Sequence, residues 1–309
     1  MSPTFLNPRP AQQWLTRLRP FTQAHRHDHS LRYLSSSTPR TRAAGLDAPS
    51  STPLPPPPPQ RWISDIRARV GKCLIFGCNK DQVGQAAGIM RALATEWREL
   101  LVGSEGYLTS GRGGLDGRQV AWGEQDAFGH VNNVNYFRYA ESARVNWVTN
   151  FAVHVDPENR EQWLELMTPK STGLIMRSIK ADFKFPLVYP DKISVYHKLR
   201  TPPVAEEPNK ANAEPPSSFT LDCIVLSHIH RRVACRLEED IVVYDYQKGG
   251  KTAMPDFMVR VLGDVWKAQE TETRRARARI EELIGQVRRL EQETWDREGA
   301  VEDMGTAKK

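Results

Sequence analysis

The stretch WGEQDAFGHVNNVNYFRYAESAR, Trp122 to Arg144, decides how this chain is read. Asp126 stands three residues before Gly129, and the polar run His130-Val131-Asn132-Asn133 opens a segment with the make-up of a helix. A helix leaves its first backbone N–H groups unpaired and carries partial positive charge at that end. It therefore offers donors to an oxygen that is gaining negative charge. A carboxylate beside it can attack a carbonyl carbon or take a proton from water. Gly129 lets the backbone turn tightly between the two. Taken singly, these residues have a plainer use, because an Asp before a helix is often only a cap and Asn is common at helix starts.

Working outward, residues 132–152 read as one helix with Val134, Phe137, Ala140, Val145, Val148 and Phe151 as core positions, apolar on most faces. A short strand over 119–122 precedes the motif. Pro157 to Leu166 reads as a second short helix. Four segments then follow that are rich in β-branched and aromatic residues: Gly173–Phe185, Lys192–Leu199, Ser218–Ser227 and Arg232–Tyr246. Pro186 and Pro190 punctuate the first pair, since proline cannot donate to a central ladder. One helix followed by four antiparallel strands falls in the α+β class.

The string D-x-x-G-H-V-N-N-x-x-Y, Asp126 through Tyr136, resembles the signature of the hotdog-fold thioesterases of the 4-hydroxybenzoyl-CoA thioesterase type. Its D-x-x-x-H-V-N-N spacing also resembles the plant acyl-carrier-protein thioesterases. The resemblance covers about residues 116–250 and implies an antiparallel sheet wrapped around the long central helix. It implies hydrolysis of an acyl-CoA or acyl-carrier-protein thioester to acid and thiol, without cofactor or metal, in a homodimer or homotetramer whose sites form between subunits. Asp126 would be nucleophile or general base, and the backbone N–H of Asn133 the oxyanion donor. His130 stands where the carrier-protein enzymes have a histidine assigned to catalysis, but Phe128 replaces their asparagine. Bacterial relatives often carry a histidine where this chain has Asn133. His130 is thus either catalytic or a residue that fixes the loop by hydrogen bonding. Gly129, Asn132 and Tyr136 are candidates for substrate binding by their place in the motif. Glu141, the carboxylate of another hotdog subgroup, reads here as a buried or interface partner of a nearby arginine.

Lys184 shares a strand face with Lys180, and Lys192 follows past the turn. The three are candidates for coenzyme A phosphates, against the plainer reading of a solvated face. His228 and His230 lie two apart in strand-like sequence, yet no third metal ligand is recognisable. The cysteines Cys73, Cys78, Cys223 and Cys235 lack C-x-x-C spacing, and Cys223 and Cys235 read as small buried hydrophobes.

The flanks carry a different message. Residues 1–45 are rich in Arg and Ser and nearly free of acids, the make-up of a mitochondrial transit peptide, with Arg32-Tyr33-Leu34-Ser35 resembling a matrix-processing site. The same composition also suits plain disorder. Residues 46–60 form a Pro-rich linker ending in Pro55 to Pro59, a stiff extended spacer. Residues 61–103 read as a helical hairpin with its turn at Gly77 to Gln82. Gly103 to Gly117 reads as a flexible connection, and 255–299 as a C-terminal helix with the stripe Ile280, Leu283, Ile284, Val287 and Leu290. Five of the six formal positive charges belong to residues 1–60, so the net charge gives no argument for a nucleic-acid partner. No run approaches the roughly 20 apolar residues of a membrane helix. Two functional classes remain: a thioesterase of the mitochondrial matrix, or a non-catalytic hotdog subunit that binds or scaffolds within a mitochondrial complex. A hydratase on the same fold would need an Asp and His pair that this chain does not show.

Overall fold

The computed structural model describes residues 53–109, 112–203 and 216–302. The transit-peptide reading of 1–45 and the linker reading over 46–52 lie outside the described residues.

The chain begins with a helical hairpin, α1 (Trp62–Phe76) and α2 (Lys80–Gly103). Asn79 starts α2 with a reciprocal cap. Its Oδ1 accepts from the N–H groups of Asp81 and Gln82, and its own N–H donates to Gln82 Oε1 at 2.9 Å. Strand β1 (Gly114–Gln119) follows, five residues earlier than the 119–122 reading. Two glycines made that segment look like a loop. Gly114 is needed because β1 runs close to β3: a Cβ there would lie 2.3 Å from the Val195 carbonyl oxygen.

The central helix α3 spans Asn133–Asn150 and widens into a π-helical turn over Phe151–Val155. Its buried side is Tyr136, Tyr139, Ala140, Ala143, Trp147 and Val148. Val134 and Val145, expected in the core, are exposed instead. The inward stripe is set by tyrosines and small residues that let the helix settle on the sheet. Helix α4 (Arg160–Glu165) packs Trp163 beneath it, the indole donating to Asp156 Oδ2 at 3.0 Å.

Strands β2 (Thr172–Phe183), β3 (Lys192–Leu199), β4 (Ser218–Ser227) and β5 (Arg232–Asp245), with the two-residue β6 (Gly250–Lys251), complete an antiparallel sheet. The order is β1-β3-β4-β5-β2, which leaves β1 and β2 at the edges. The concave face carries Ile193, Val195, Cys223, Val225, Cys235 and Leu237 against α3, the hotdog arrangement of a sheet around one helix.

Helix α5 (Asp256–Glu293) is 38 residues, about 57 Å long at 1.5 Å per residue. That length lets it serve two cores. Met258, Val261, Leu262 and Val265 close the lower end of the α3 core with Phe151 and Trp163. Further along, Ile280, Leu283, Val287 and Leu290 join α1 and α2 over the convex face at Tyr196, Ile224 and Leu226. Between the two, Gln269 stands in for a missing strand: it accepts from Leu199 N–H at 2.8 Å and donates to Leu199 O at 3.1 Å. No helix among the described residues is long and apolar enough to cross a membrane.

Candidate active site

The motif folds back on itself before α3 begins. Asp126 N–H donates to His130 O at 2.8 Å, and Gly129 N–H donates to Asp126 O at 3.0 Å. Gln125 and Val131 bridge across the base of this loop. Gly129 takes φ +72°, the left-handed conformation that its lack of Cβ permits. Asp126 therefore sits across from His130, beside the residues that lead into the helix.

Its carboxylate is partly exposed, and Oδ1 accepts the N–H of Phe128 at 2.9 Å. One oxygen thus holds the turn, and Oδ2 makes no hydrogen bond among the described residues. Asn132 caps α3, its Oδ1 accepting from Val134 N–H at 3.0 Å, while Asn135 N–H donates to Asn132 O at 2.9 Å. The N–H of Asn133 lies between these two and has no hydrogen-bond partner among the described residues, as expected of a first-turn donor.

The remaining sequence-predicted residues are distributed differently. His130 is exposed, and its carbonyl rather than its ring fixes the loop. Tyr136 is only 2% exposed; its hydroxyl accepts from Leu187 N–H at 3.0 Å, which ties α3 to the 184–191 loop. It faces the core, not an open cleft. Lys184 is exposed and pairs with Asp182. Its loop is bound to the motif, with Val131 N–H donating to Leu187 O at 2.8 Å and Tyr189 N–H donating to Gln125 Oε1 at 2.9 Å. Glu141 is exposed, and the arginine one turn along, Arg144, pairs with Glu239 instead. His228 and His230 sit in the turn after β4, not in a strand, and face different neighbours: Ser194 Oγ at 2.8 Å and the Phe185 ring.

Sequence reasoning missed the hub of the site, Glu124. Its carboxylate pairs with Arg118 at 2.5 Å and accepts from Ala121 N–H at 2.8 Å, while its backbone oxygen accepts from Asn132 N–H and Asn135 Nδ2, both at 2.9 Å. Burial alone would raise the Glu124 pKa, but Arg118, the Ala121 N–H and the Tyr139 hydroxyl outweigh it and hold it below the ordinary glutamate value. Arg118 in turn lies 4.5 Å over the Tyr139 ring, whose hydroxyl burial pushes well up. These contacts fix the angle at which the loop meets the helix. Only the three-residue spacing of Ala121 and Glu124 hints at them.

Around the loop, Trp122 (74% exposed) and Phe128 (85%) stand clear of the surface with Val134. A cleft of about 510 Å³ lies elsewhere, lined by Tyr107, Arg200, Asp222, Arg236 and their neighbours, none of them from the motif.

Residues 120–262 match the family model of the thioesterase-like superfamily. The match covers a little under half of the chain. The chain is similar to solved structures that include a putative thioesterase from Pseudomonas aeruginosa, at 20% identity over 48% of this chain and 95% of that one, with a TM-score of 0.35. Others are the probable thioesterase YbaW from Escherichia coli, 18% identical over 48% and 96% with a TM-score of 0.36, and a thioesterase complexed with coenzyme A and Zn from Thermus thermophilus, 18% identical over 48% and 92% with a TM-score of 0.35. No curated protein matches the chain.

Proposed function

We propose that the chain is a thioester hydrolase acting on acyl-CoA or acyl-carrier-protein thioesters. The observation that carries this is the loop-to-helix junction, where one short turn holds both a carboxylate oxygen of Asp126 and the N–H of Asn133, neither with a partner among the described residues. A thioester carbonyl polarised by that N–H is open to attack by water that gives its proton to Asp126, or by Asp126 itself through an anhydride. The tetrahedral oxyanion collapses with cleavage of the C–S bond, the thiolate leaves, and hydrolysis returns the free acid. His130 and Asn132 border the same junction, and exposed Lys184, three residues before the Leu187 that the motif binds, is a candidate phosphate partner.

The exposure of Trp122 and Phe128 supports a site completed by a second copy of the chain. Edge strand β2 has 12 residues and among the described residues pairs only with β5, which leaves its outer edge as a place for a sister strand. The leader composition supports the mitochondrial matrix as the place of action. A scaffold role is the second reading; the absence of the motif from the lining of the 510 Å³ cleft favours it. The test is thiol release from short, long and aromatic acyl-CoA thioesters and acyl-carrier-protein thioesters by the full chain and by Asp126→Asn, with sedimentation to record assembly. Release by the parent and its loss in an equally assembled mutant supports hydrolysis. Equal background from both across all carriers moves the reading to the scaffold.

A further inference from the structure

Away from the motif, the middle of the hotdog core holds four ionisable side chains from four elements: His197 on β3, Cys223 on β4, Glu239 on β5 and Arg144 on α3. Pairing register brings them together, with His197 opposite Cys223, Cys223 opposite Leu237, and Glu239 one pleat further along the same concave face. His197, Cys223 and Glu239 are at most 2% exposed. One ligand atom from each falls within 4.8 Å of the others.

The hydrogen bonding of this cluster is incomplete. Glu239 Oε2 lies 3.2 Å from His197 Nε2, and Oε1 lies 2.8 Å from an Arg144 nitrogen. Neither contact is aligned as a hydrogen bond, and both His197 ring nitrogens and both Glu239 oxygens are buried without a hydrogen-bond partner. Buried polar atoms are nearly always satisfied, and each one left unpaired costs about 1–3 kcal/mol. Arg144 answers Glu239 Oε1, which leaves Glu239 Oε2 and a His197 ring nitrogen buried beside the Cys223 thiol, one ligand atom from each of three strands.

We propose that His197, Cys223 and Glu239 bind a divalent metal ion of the zinc class, in a site separate from the Asp126 junction. Imidazole nitrogen, thiolate sulfur and carboxylate oxygen are zinc's usual ligands, and the sulfur disfavours magnesium and calcium. Bonds of about 2.0–2.3 Å place ligand atoms roughly 3.3–3.8 Å apart around a tetrahedral ion, close to the His197–Glu239 separation. Binding releases the Cys223 proton to solvent, so thiolate and carboxylate offset the ion's two charges and the partly exposed Arg144 guanidinium keeps the cluster's one net positive charge. Arg144 engages Oε1 and leaves Oε2 to the metal, the kind of outer contact that orients a ligating carboxylate. With three protein ligands the fourth position would fall to a buried water, and the enclosed ion would join three neighbouring strands beneath α3 and be acquired as the chain folds.

The test is metal analysis of the full chain prepared with zinc, then with cobalt(II) as a spectroscopic substitute. The expected result is one ion per chain and a thiolate-to-cobalt charge-transfer band. Both vanish in Cys223→Ser, metal affinity drops at least tenfold in His197→Gln, and Cys78→Ser, at the hairpin turn, keeps both. Folded protein far below one ion per chain, without the band, overturns the proposal and leaves Arg144, Glu239 and His197 as ion pairs alone. Metal that survives Cys223→Ser also overturns it, by placing the ion elsewhere. Should Cys223→Ser fail to fold, zinc X-ray absorption on the parent decides: one sulfur with imidazole supports the site, and a shell of oxygen alone refutes it.

Discussion

The first and last turns of α3 belong to one helix and meet opposite surroundings. At the head, Asn132, Asn133 and Val134 are exposed, and the backbone donor at Asn133 is unengaged. At the tail, Trp147 and Phe151 lie edge to face at 4.4 Å between ring centroids, and Phe151 packs on Trp163 at 5.0 Å, under the first turns of α5. The helix is therefore gripped at its middle and tail, and its head can stay open with an unpaired N–H at little cost to the fold. On the proposed function, chemistry and stability fall at opposite ends of a single element, so substitutions at the two ends should move different measurements.

The largest effect expected is at the head. Asp126→Asn keeps an oxygen to accept the Phe128 N–H but loses the carboxylate, so kcat should fall about 100- to 10,000-fold with the melting temperature unchanged. A mutant that unfolds instead would show that head and fold are not separable. At the tail, Phe151→Ala should cost about 3–5 kcal/mol in denaturant unfolding, since a fully packed ring is removed between two others. If catalysis at low temperature then collapsed while the protein stayed folded, the division of labour would be wrong.

Acid should separate the two halves again. Burial raises the Glu239 pKa, but His197 and Arg144 outweigh it, and the folded value lies below the ordinary one. A depressed carboxyl pKa contributes stability that is complete above the unfolded value and is lost as pH falls through the folded one. Stability should therefore decline below the ordinary glutamate range, and Glu239→Gln should flatten that part of the curve. An unchanged acid limb in Glu239→Gln would assign the loss to other carboxylates, Glu124 among them.

Much of this organisation is legible in the sequence, and the exceptions have physical causes. Strands β3 and β4 fall where their β-branched runs, bounded by Pro190-Asp191 and Ser227, place them. Strand β1 was hidden because Gly114, which a strand normally avoids, is demanded by the close approach of Val195. The buried face of α3 was misjudged because periodicity counts apolar residues. Tyr136 buries its ring by giving its hydroxyl to Leu187 N–H, and Arg144 reaches Glu239, while Val134 and Val145 are left outside. The Asp126-Gly129-Asn133 junction is contiguous and could be read directly. The Glu124 hub works partly through its backbone oxygen, and the His197–Cys223–Glu239 cluster depends on strand register, so neither has a signature in local sequence.

The smallest effect tests the separation most closely. Asn132→Ala removes the side-chain oxygen that caps α3 and leaves Val134 N–H without its partner. Caps of this kind contribute about 1 kcal/mol, a fraction of the Phe151 effect, because the helix end is hydrated and the core below it is undisturbed. The rate should respond more than the stability does. The cap sets the pitch of the first turn, so its loss lets the Asn133 N–H swing from the line along which an oxyanion would meet it, lowering kcat with little change in KM. A stability loss as large as that of Phe151→Ala would mean that the head is held as firmly as the tail. A fall confined to KM would give Asn132 a direct contact with substrate in place of its capping role.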